Sequence, residues 1–266
     1  MKPVLKYNGG KAREIKEFEQ FIPKDYERYI EPFFGGGAVY FHLMPEKAII
    51  NDCNKRLMNF YVQLRDLYPI MTEQLDNLKE LYSEPSSREA LYYKMRERFN
   101  YPDGVYLNGV VYYFINRTVY GGMIRYNKKG EFNAPFSWYK SFCAGIITEQ
   151  HSNLLRKSIL FNTDYSRIIS LAKPDDFMFL DPPYDCTFTG YGNNDKNGFC
   201  ETEHIRLAEH FVNLPCRALL IIGKTPLTQE LYRDYIHAEY NKTYSFNIKN
   251  RNNREMVHMI VKNYII

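Results

Sequence analysis

A chain of 266 residues with 45% hydrophobic and 25% charged side chains is large enough for one big domain, or a domain with an inserted lobe, and for a substantial core. It has no run of about 18 apolar residues, and its start, Met1-Lys2-Pro3-Val4-Leu5-Lys6, lacks the apolar stretch of a signal peptide; neither a membrane span nor a leader is expected. Five scattered cysteines without C-x-x-C, and six histidines without H-E-x-x-H, argue against a disulfide framework and a zinc site; they suit reduced thiols in a cytoplasm, and no metal is expected.

Tyr29-Ile30-Glu31-Pro32-Phe33-Phe34-Gly35-Gly36-Gly37-Ala38-Val39 reads as a short strand, a glycine turn and a helix. Lys47-Ala48-Ile49-Ile50-Asn51-Asp52 is a second strand ending in an acid. Residues 54–81 have helical spacing, with Leu57, Phe60, Tyr61, Leu64 and Leu67 on one face. Residues 85–100 give another helix, Tyr101-Pro102-Asp103-Gly104 a turn, and residues 107–119 an apolar helix. Gly121-Gly122, Asn127 and Gly130 predict loops and a hairpin up to Pro135. Helical periodicity resumes near 146–157, and strands are predicted at 159–162 and 177–180. Residues 187–199 are a long Gly/Asn-rich loop, read as a lid over a base pocket through Phe188, Tyr191 and Phe199. A helix at 201–214, a buried strand at 218–222 and a strand at 255–264 complete the pattern. Alternating strands and helices imply a mostly parallel sheet. The mainly helical stretch 57–146 interrupts that alternation and reads as an inserted lobe.

Two devices carry chemistry. In Leu180-Asp181-Pro182-Pro183-Tyr184, two prolines without N–H groups stiffen a turn at the end of an apolar strand. The turn presents a carboxylate, carbonyls and a ring face, which suit a substrate donating two N–H groups from a flat heterocycle. In Phe33-x-Gly35-x-Gly37, glycines let a ligand approach the backbone closely, and Asp52 ends the next strand, where an acid can bind ribose hydroxyls. The phosphate-binding pattern G-x-x-x-x-G-K-[ST] is absent. The net charge of +4 is concentrated in 111–145, where Arg117, Arg125, Lys128, Lys129 and Lys140 face Glu131 alone. Tyrosines and Trp138 interleave with these charges, as suits a polyanion that carries bases.

Together these elements resemble the DNA adenine methyltransferase (Dam) family, the D12-class N6-adenine-specific enzymes. Lys6-Tyr7-Asn8-Gly9-Gly10-Lys11 is similar to its K-W-A-G-G-K. Glu31-Pro32-Phe33-Phe34-Gly35-Gly36-Gly37 is similar to its E-P-F-x-G-x-G pocket. Asn51-Asp52 and Asn162-Thr163-Asp164-Tyr165 resemble its N-D and N-x-D-[FY] elements. Ile115-Asn116-Arg117, the run from Tyr120 to Asn127 and the run from Gly130 to Phe136 resemble its target-recognition hairpin. The order of the elements is the family's order.

The resemblance implies a Rossmann-like methyltransferase domain (1–56 and 147–266) with an inserted, mainly helical target-recognition domain carrying a β-hairpin (57–146). It implies S-adenosylmethionine as cofactor and double-stranded DNA as partner; no membrane partner is expected, and a monomer is favoured. Tyr7 and Lys11 would flank the cofactor, Phe33, Gly35 and Gly37 would line its methionine side, and Asp52 would hold its ribose. Asp164 and Tyr165 would border its adenine, although an acid ahead of a helix also serves as an N-cap. Asp181 and the Pro182 carbonyl would accept from the target N6 amine beside the cofactor, and Tyr184 would stack on a flipped-out adenine. Arg125 would read a guanine and Lys6 reach another. Tyr120 would wedge into the stack, Met123 and Pro135 would pack on base edges, and Arg117 and Asn133 complete the DNA-binding set. The family's usual target is GATC. This chain departs from the pattern at Tyr7 (usually Trp), Gly121 (usually Asn), Ser137 (usually Gly) and Trp138 (usually Arg). The alternatives are another acceptor (RNA adenine, cytosine N4 or a glutamine amide) and a DNA-binding regulator that has lost activity. Asp at 181 favours adenine, and intact Asp181, Asp52 and Gly35 argue against lost activity.

Overall fold

A computed structural model of the chain describes residues 1–7, 9–119, 122, 124–142, 144–184, 199–243 and 255–265. Its strands are β1 (Arg28–Glu31), β2 (Ala48–Asn51), β3 (Ser158–Phe161), β4 (Asp176–Leu180), β5 (Arg217–Gly223), β6 (Ile236–Thr243) and β7 (Glu255–Lys262). They form one sheet in the order β3-β2-β1-β4-β5-β7-β6. The pairs from β3 through β5 are parallel, and β7 lies antiparallel between β5 and β6. β1, β2, β4 and β5 are apolar runs buried along almost their whole length, because helices cover both faces of a parallel sheet. This is the expected α/β, Rossmann-like architecture.

The side-chain period of two divides each strand between two cores. Phe177 and Phe179 of β4, with Leu219 and Ile221 of β5, face one cluster; Met178, Leu180, Leu220 and Ile222 face the other. The first cluster is covered by α1 (Ile15–Phe18), α2 (Ala38–Leu43), α3 (Lys55–Asp66), α4 (Tyr68–Leu81), α5 (Arg88–Asn100), α6 (Asn108–Thr118) and α7 (Glu149–Arg156). The second is covered by α8 (Tyr165–Ile169) and α9 (Glu201–Val212), with Tyr232 and Tyr235 following α10 (Pro226–Leu231). The helices between β2 and β3 pack into the same apolar cluster as the sheet. The Phe34 and Tyr61 ring centroids lie 4.7 Å apart, and Phe60 stacks on Tyr113 at 6.1 Å.

The single helix read over 54–81 is two. Leu67 leaves helical geometry at φ −122°, ψ 28°, and α4 restarts with Pro69 in its first turn, where a missing N–H costs no helical bond. Asn54 caps α3, its side chain accepting from the N–H groups of Arg56 and Leu57. The hairpin exists as two isolated antiparallel bridges, Val119↔Phe136 and Tyr126↔Phe132, around a turn at Asn127–Gly130, not as continuous strands. β6 is a strand that the sequence reading missed. It is a polar edge strand whose signal is alternation: Ile236, Ala238 and Tyr240 are half-buried while His237, Glu239 and Asn241 are exposed. Most of the loop at 187–199, with Phe188 and Tyr191, lies outside the described residues.

The strand ends are tied by one buried side chain. Asn51 donates from Nδ2 to the carbonyls of Pro32 (2.9 Å) and Thr163 (3.1 Å), and its Oδ1 accepts from Thr163 N (2.9 Å). It thus joins the segments that follow β1 and β3 to β2. Asn51→Ala leaves three buried or half-buried backbone groups without their partner and is expected to lower unfolding free energy by about 2–4 kcal/mol in denaturant melts; a change below about 0.5 kcal/mol would contradict this role.

Candidate active site and nucleic-acid interface

Strand order reverses between β1 and β4, which pair directly through Ile30 and Met178. From β1 the chain proceeds outward to β2 and β3; from β4 it proceeds the other way. Such a switch point leaves a crevice at the carboxyl ends of the strands. The glycine turn leaves β1 there and the Asp181 turn leaves β4 there, so the topology brings the two chemical devices together.

In the glycine turn, Gly35 and Gly37 have φ of +48° and +64°, in the left-handed region that favours glycine. A Cβ on Gly35 would lie 2.7 Å from Tyr7 Cε1, so the Tyr7 ring rests on bare backbone. Asp52 fixes the turn from β2: Oδ2 accepts from Gly35 N and Oδ1 from Asn54 N, both at 2.9 Å. Tyr61 Oη donates to the Gly35 carbonyl at 3.1 Å. Burial raises the Asp52 carboxyl pKa, while these N–H groups pull it down. Glu31, at the end of β1, is buried and receives a hydrogen bond from Tyr29 Oη at 2.9 Å. Burial, opposed by that bond and reinforced by the charges of Asp181 and Asp52, lifts its carboxyl well above the ordinary range. Three neighbouring strand ends therefore each bear an acid, an environment that favours a cationic ligand.

Asp181 sits half-buried on the β4 turn. The Lys11 side chain is only 3% exposed; its Nζ lies 2.7 Å from Asp181 Oδ1 and donates to the Gly9 carbonyl at 3.0 Å. Tyr184 Oη donates to the same Oδ1 at 3.3 Å. Burial raises the Asp181 pKa and Lys11 lowers it, so the ammonium is what favours the carboxylate. Both contacts fall on Oδ1; Oδ2 has no hydrogen bond among the described residues. The Tyr184 ring is 6% exposed, with Lys11 Nζ over it at 5.0 Å and the His258 ring edge-on at 5.0 Å. The ring expected to stack on a base is therefore covered in part by Lys11.

Phe33 packs on Tyr165 at 5.0 Å and on Phe199 at 5.8 Å, which makes an aromatic wall beside the glycine turn. Phe199, expected in a lid, is part of this wall. Asp164 caps α8, accepting from Ser166 N at 2.9 Å, and Arg206 holds both its oxygens at 2.8 Å. The capping role is therefore realised, and Asp164 is tied to α9 instead of pointing freely into the pocket.

The basic stretch forms a separate surface. The Tyr126↔Phe132 bridge and the bond from Asn133 N to Arg125 O (3.4 Å) make Arg125 and Asn133 cross-strand neighbours. Burial alternates along the second arm. Phe132, Ala134 and Phe136 are buried; Asn133 and Pro135 are exposed, as is Arg125 opposite them. The Arg125 guanidinium makes no hydrogen bond or ion pair among the described residues. Trp138 is 73% exposed and leans on Phe136 at 5.1 Å. Lys6 docks the N-terminal segment here: its N–H and C=O pair with the Asn116 amide (2.9 and 2.8 Å), and its Nζ lies 3.8 Å from the Tyr139 ring centroid. Lys6 Nζ also donates to the Arg117 carbonyl at 3.2 Å, and Arg117 Nε has no partner among the described residues. Tyr120 and Met123 lie outside the described residues.

Residues 7–255 match the family described as D12 class N6 adenine-specific DNA methyltransferase. The chain belongs to that family. It is 34% identical to the Type II methyltransferase M.CviBI of Paramecium bursaria Chlorella virus NC1A, covering 99% of this chain and 100% of that protein. It is 33% identical to the Type II methyltransferase M.MjaIII of Methanocaldococcus jannaschii (94% and 90%) and 28% identical to the DNA adenine methylase of Salmonella typhi (86% and 83%).

In this D12-class chain the sequence reading missed the network behind Lys11. Glu14, buried in the N-terminal segment, accepts from Lys242 Nζ at 2.5 Å and Tyr240 Oη at 2.8 Å, and lies 2.8 Å from His258 Nδ1. Burial alone would raise its pKa; the bonds from His258, Lys242 and Tyr240 and the charge of Lys11 override that and hold it at about 2. The only sequence signal was Glu14 three places after Lys11; its partners come from β6 and β7, more than two hundred residues away. Because the folded value lies below the ordinary 4.5, this stabilisation is present above that pH and lost as pH falls toward 2. Glu14→Gln is expected to melt below wild type at neutral pH, the gap closing on acidification; a gap independent of pH would contradict the assignment.

Proposed function

We propose that this chain transfers a methyl group from S-adenosylmethionine to N6 of a flipped-out adenine in double-stranded DNA, within GATC. The reading rests above all on Asp181: a carboxylate beside a switch-point crevice, with one oxygen engaged by Lys11 and Tyr184 and the other available to an incoming N–H donor.

The residues of the crevice fit the cofactor. Gly35 and Gly37 offer backbone that a side chain would block, and the acids at the ends of β1, β2 and β4 suit a ligand bearing ammonium and sulfonium charges. Tyr7, Lys11, Phe33 and the two glycines would line the methionine side. Asp52 retains acceptor capacity for ribose hydroxyls beyond its two backbone bonds. Tyr165 and Phe33 would face the adenine edge-on or stacked, with Asp164 behind them. When bound, the cofactor supplies an electrophilic methyl group.

The chain's own residues would do the rest. Asp181 Oδ2 and the Pro182 carbonyl accept the two N6 hydrogens, which orients the nitrogen lone pair and raises its electron density. Asp181 acts as an acceptor whose proton uptake follows transfer, so it needs no strongly basic pKa. The prolines prevent the turn from relaxing. A base inside a duplex cannot reach this turn, hence the requirement for flipping.

The hairpin would recognise the site. Arg125 and Asn133 share one exposed face with Pro135, and an unpaired Arg matches the guanine O6/N7 edge. Lys6, Arg117 and the unmatched lysines of the hairpin supply phosphate contacts. Residues 57–146 would then form the target-recognition segment.

Plasmid treated with protein and cofactor is expected to change its sensitivity to nucleases that differ in tolerance of N6-methyladenine at GATC. Asp181→Asn is expected to lower tritium transfer from labelled cofactor by at least about 10²-fold with cofactor binding retained. Full activity in that variant would overturn the mechanism. Arg125→Ala is expected to cost about 1–3 kcal/mol in discrimination between GATC and a duplex altered at one guanine; an unchanged ratio would remove Arg125 from readout.

A further inference from the structure

Behind the Asp181 turn lies a polar cluster that the proposed reaction does not use directly. His258 is fully buried on β7. Its Nδ1 lies 2.8 Å from Glu14 Oε2 and 3.2 Å from Tyr240 Oη, while Tyr240 Oη donates to that same Glu14 oxygen at 2.8 Å. A carboxylate accepts only, so Nδ1 must carry the proton it shares with Glu14. The ring of His258 meets the Tyr184 ring edge to face, with centroids 5.0 Å apart and planes at 74°. The Tyr184 hydroxyl in turn donates to Asp181 Oδ1. A second arm of the cluster runs from Glu14 through the charge of Lys11, which is paired with the same oxygen.

We propose that Glu14 and His258 are positioning residues for methyl transfer: Glu14 holds His258 in its Nδ1-protonated form and fixed orientation, and His258 sets the plane of the Tyr184 ring and, through its hydroxyl, the direction of the Asp181 carboxylate. The proposal rests on the function proposed above. Its physical basis is that edge-to-face contact has a preferred geometry and a buried, hydrogen-bonded imidazole cannot turn freely. The base-stacking ring therefore inherits its orientation from a strand, β7, that contributes no residue to the reacting atoms. The groups facing His258 among the described residues include Glu14 from the N-terminal segment, Tyr240 from β6, and Tyr184 and the charge of Asp181 from the β4 turn; Lys242 from β6 reaches it through Glu14.

Three substitutions separate this role from simple structural support. Glu14→Gln keeps shape but removes the charge. Tyr240→Phe removes only one hydroxyl. His258→Phe keeps a ring against Tyr184 but loses the Nδ1 link. Single-turnover transfer of labelled methyl groups, at saturating DNA and cofactor, is measured beside cofactor affinity and duplex affinity. The expected result is a rate lowered at least about tenfold in Glu14→Gln and His258→Phe, with both affinities within about twofold of wild type, since small misplacements of reacting groups cost rate more than binding. Tyr240→Phe, which leaves the Glu14–His258 contact in place, is expected to lose less. A variant that does not fold is replaced in the comparison by the remaining two. Wild-type rates in the folded variants overturn the positioning role, as does a rate loss matched by an equal loss of affinity. No methyl transfer by wild-type protein would instead overturn the underlying function, so the two failures are distinguishable.

Discussion

The structure depends on keeping one carboxylate ionised where water is scarce. Asp181 stands at the end of a strand buried along its whole length, and burial alone would push it toward the neutral acid. A neutral acid would offer an O–H where the proposed reaction needs an acceptor. Lys11 opposes that push from 2.7 Å away, itself almost wholly enclosed and oriented by the Gly9 carbonyl. An ion pair in such a place is costly to desolvate and costlier to break from one side. The surrounding architecture compensates: Tyr184 shares the carboxylate oxygen, Glu14 adds a second anion behind Lys11, and β6 and β7 bring Lys242, Tyr240 and His258 to enclose Glu14.

The same sheet explains why the glycine turn and the Asp181 turn meet. The order β3-β2-β1-β4-β5-β7-β6 places the ends of β1 and β4 side by side, with α2 and α9 packed in the clusters on opposite faces of the sheet. The glycine turn is then held from β2 by Asp52, the aromatic wall is assembled from the ends of β1 and β3 with Phe199, and Asn51 ties these segments together. The basic hairpin is not a detached module. Phe132, Ala134 and Phe136 plug it into the apolar cluster that also covers the sheet, which leaves Arg125, Asn133 and Pro135 outward. An Arg on so anchored a platform can be aimed, whereas one on a loose loop could only attract phosphate.

Much of this was readable from local pattern. Apolar runs at 48–51 and 176–180, and the punctuation of glycine and proline after β1 and β4, located the strands and both turns because a buried parallel strand tolerates little else. Gly35, Asp52, Asp181 and Tyr184 were read from the two turns, and Tyr7 and Lys11 from the resemblance; the fold sets Tyr7 and Asp52 on Gly35, and Lys11 and Tyr184 on Asp181. What escaped depends on contacts between distant segments. Nothing near Glu14 in sequence announces His258 or Lys242, and nothing near Asp164 announces Arg206. β6 escaped because an edge strand with alternating polar residues looks like a surface loop to a reading that looks for apolar runs. The break at Leu67 escaped because helical spacing continues across it even though the backbone does not.

The most direct test is chemical. Duplex DNA containing GATC would be incubated with the protein and S-adenosylmethionine carrying an isotopic label in its methyl group, then digested to nucleosides and resolved by mass spectrometry. The expected result is label in N6-methyl-2′-deoxyadenosine from the duplex and none in deoxycytidine. Label at cytosine N4, or no label in any nucleoside from a folded protein that binds the cofactor, would contradict it.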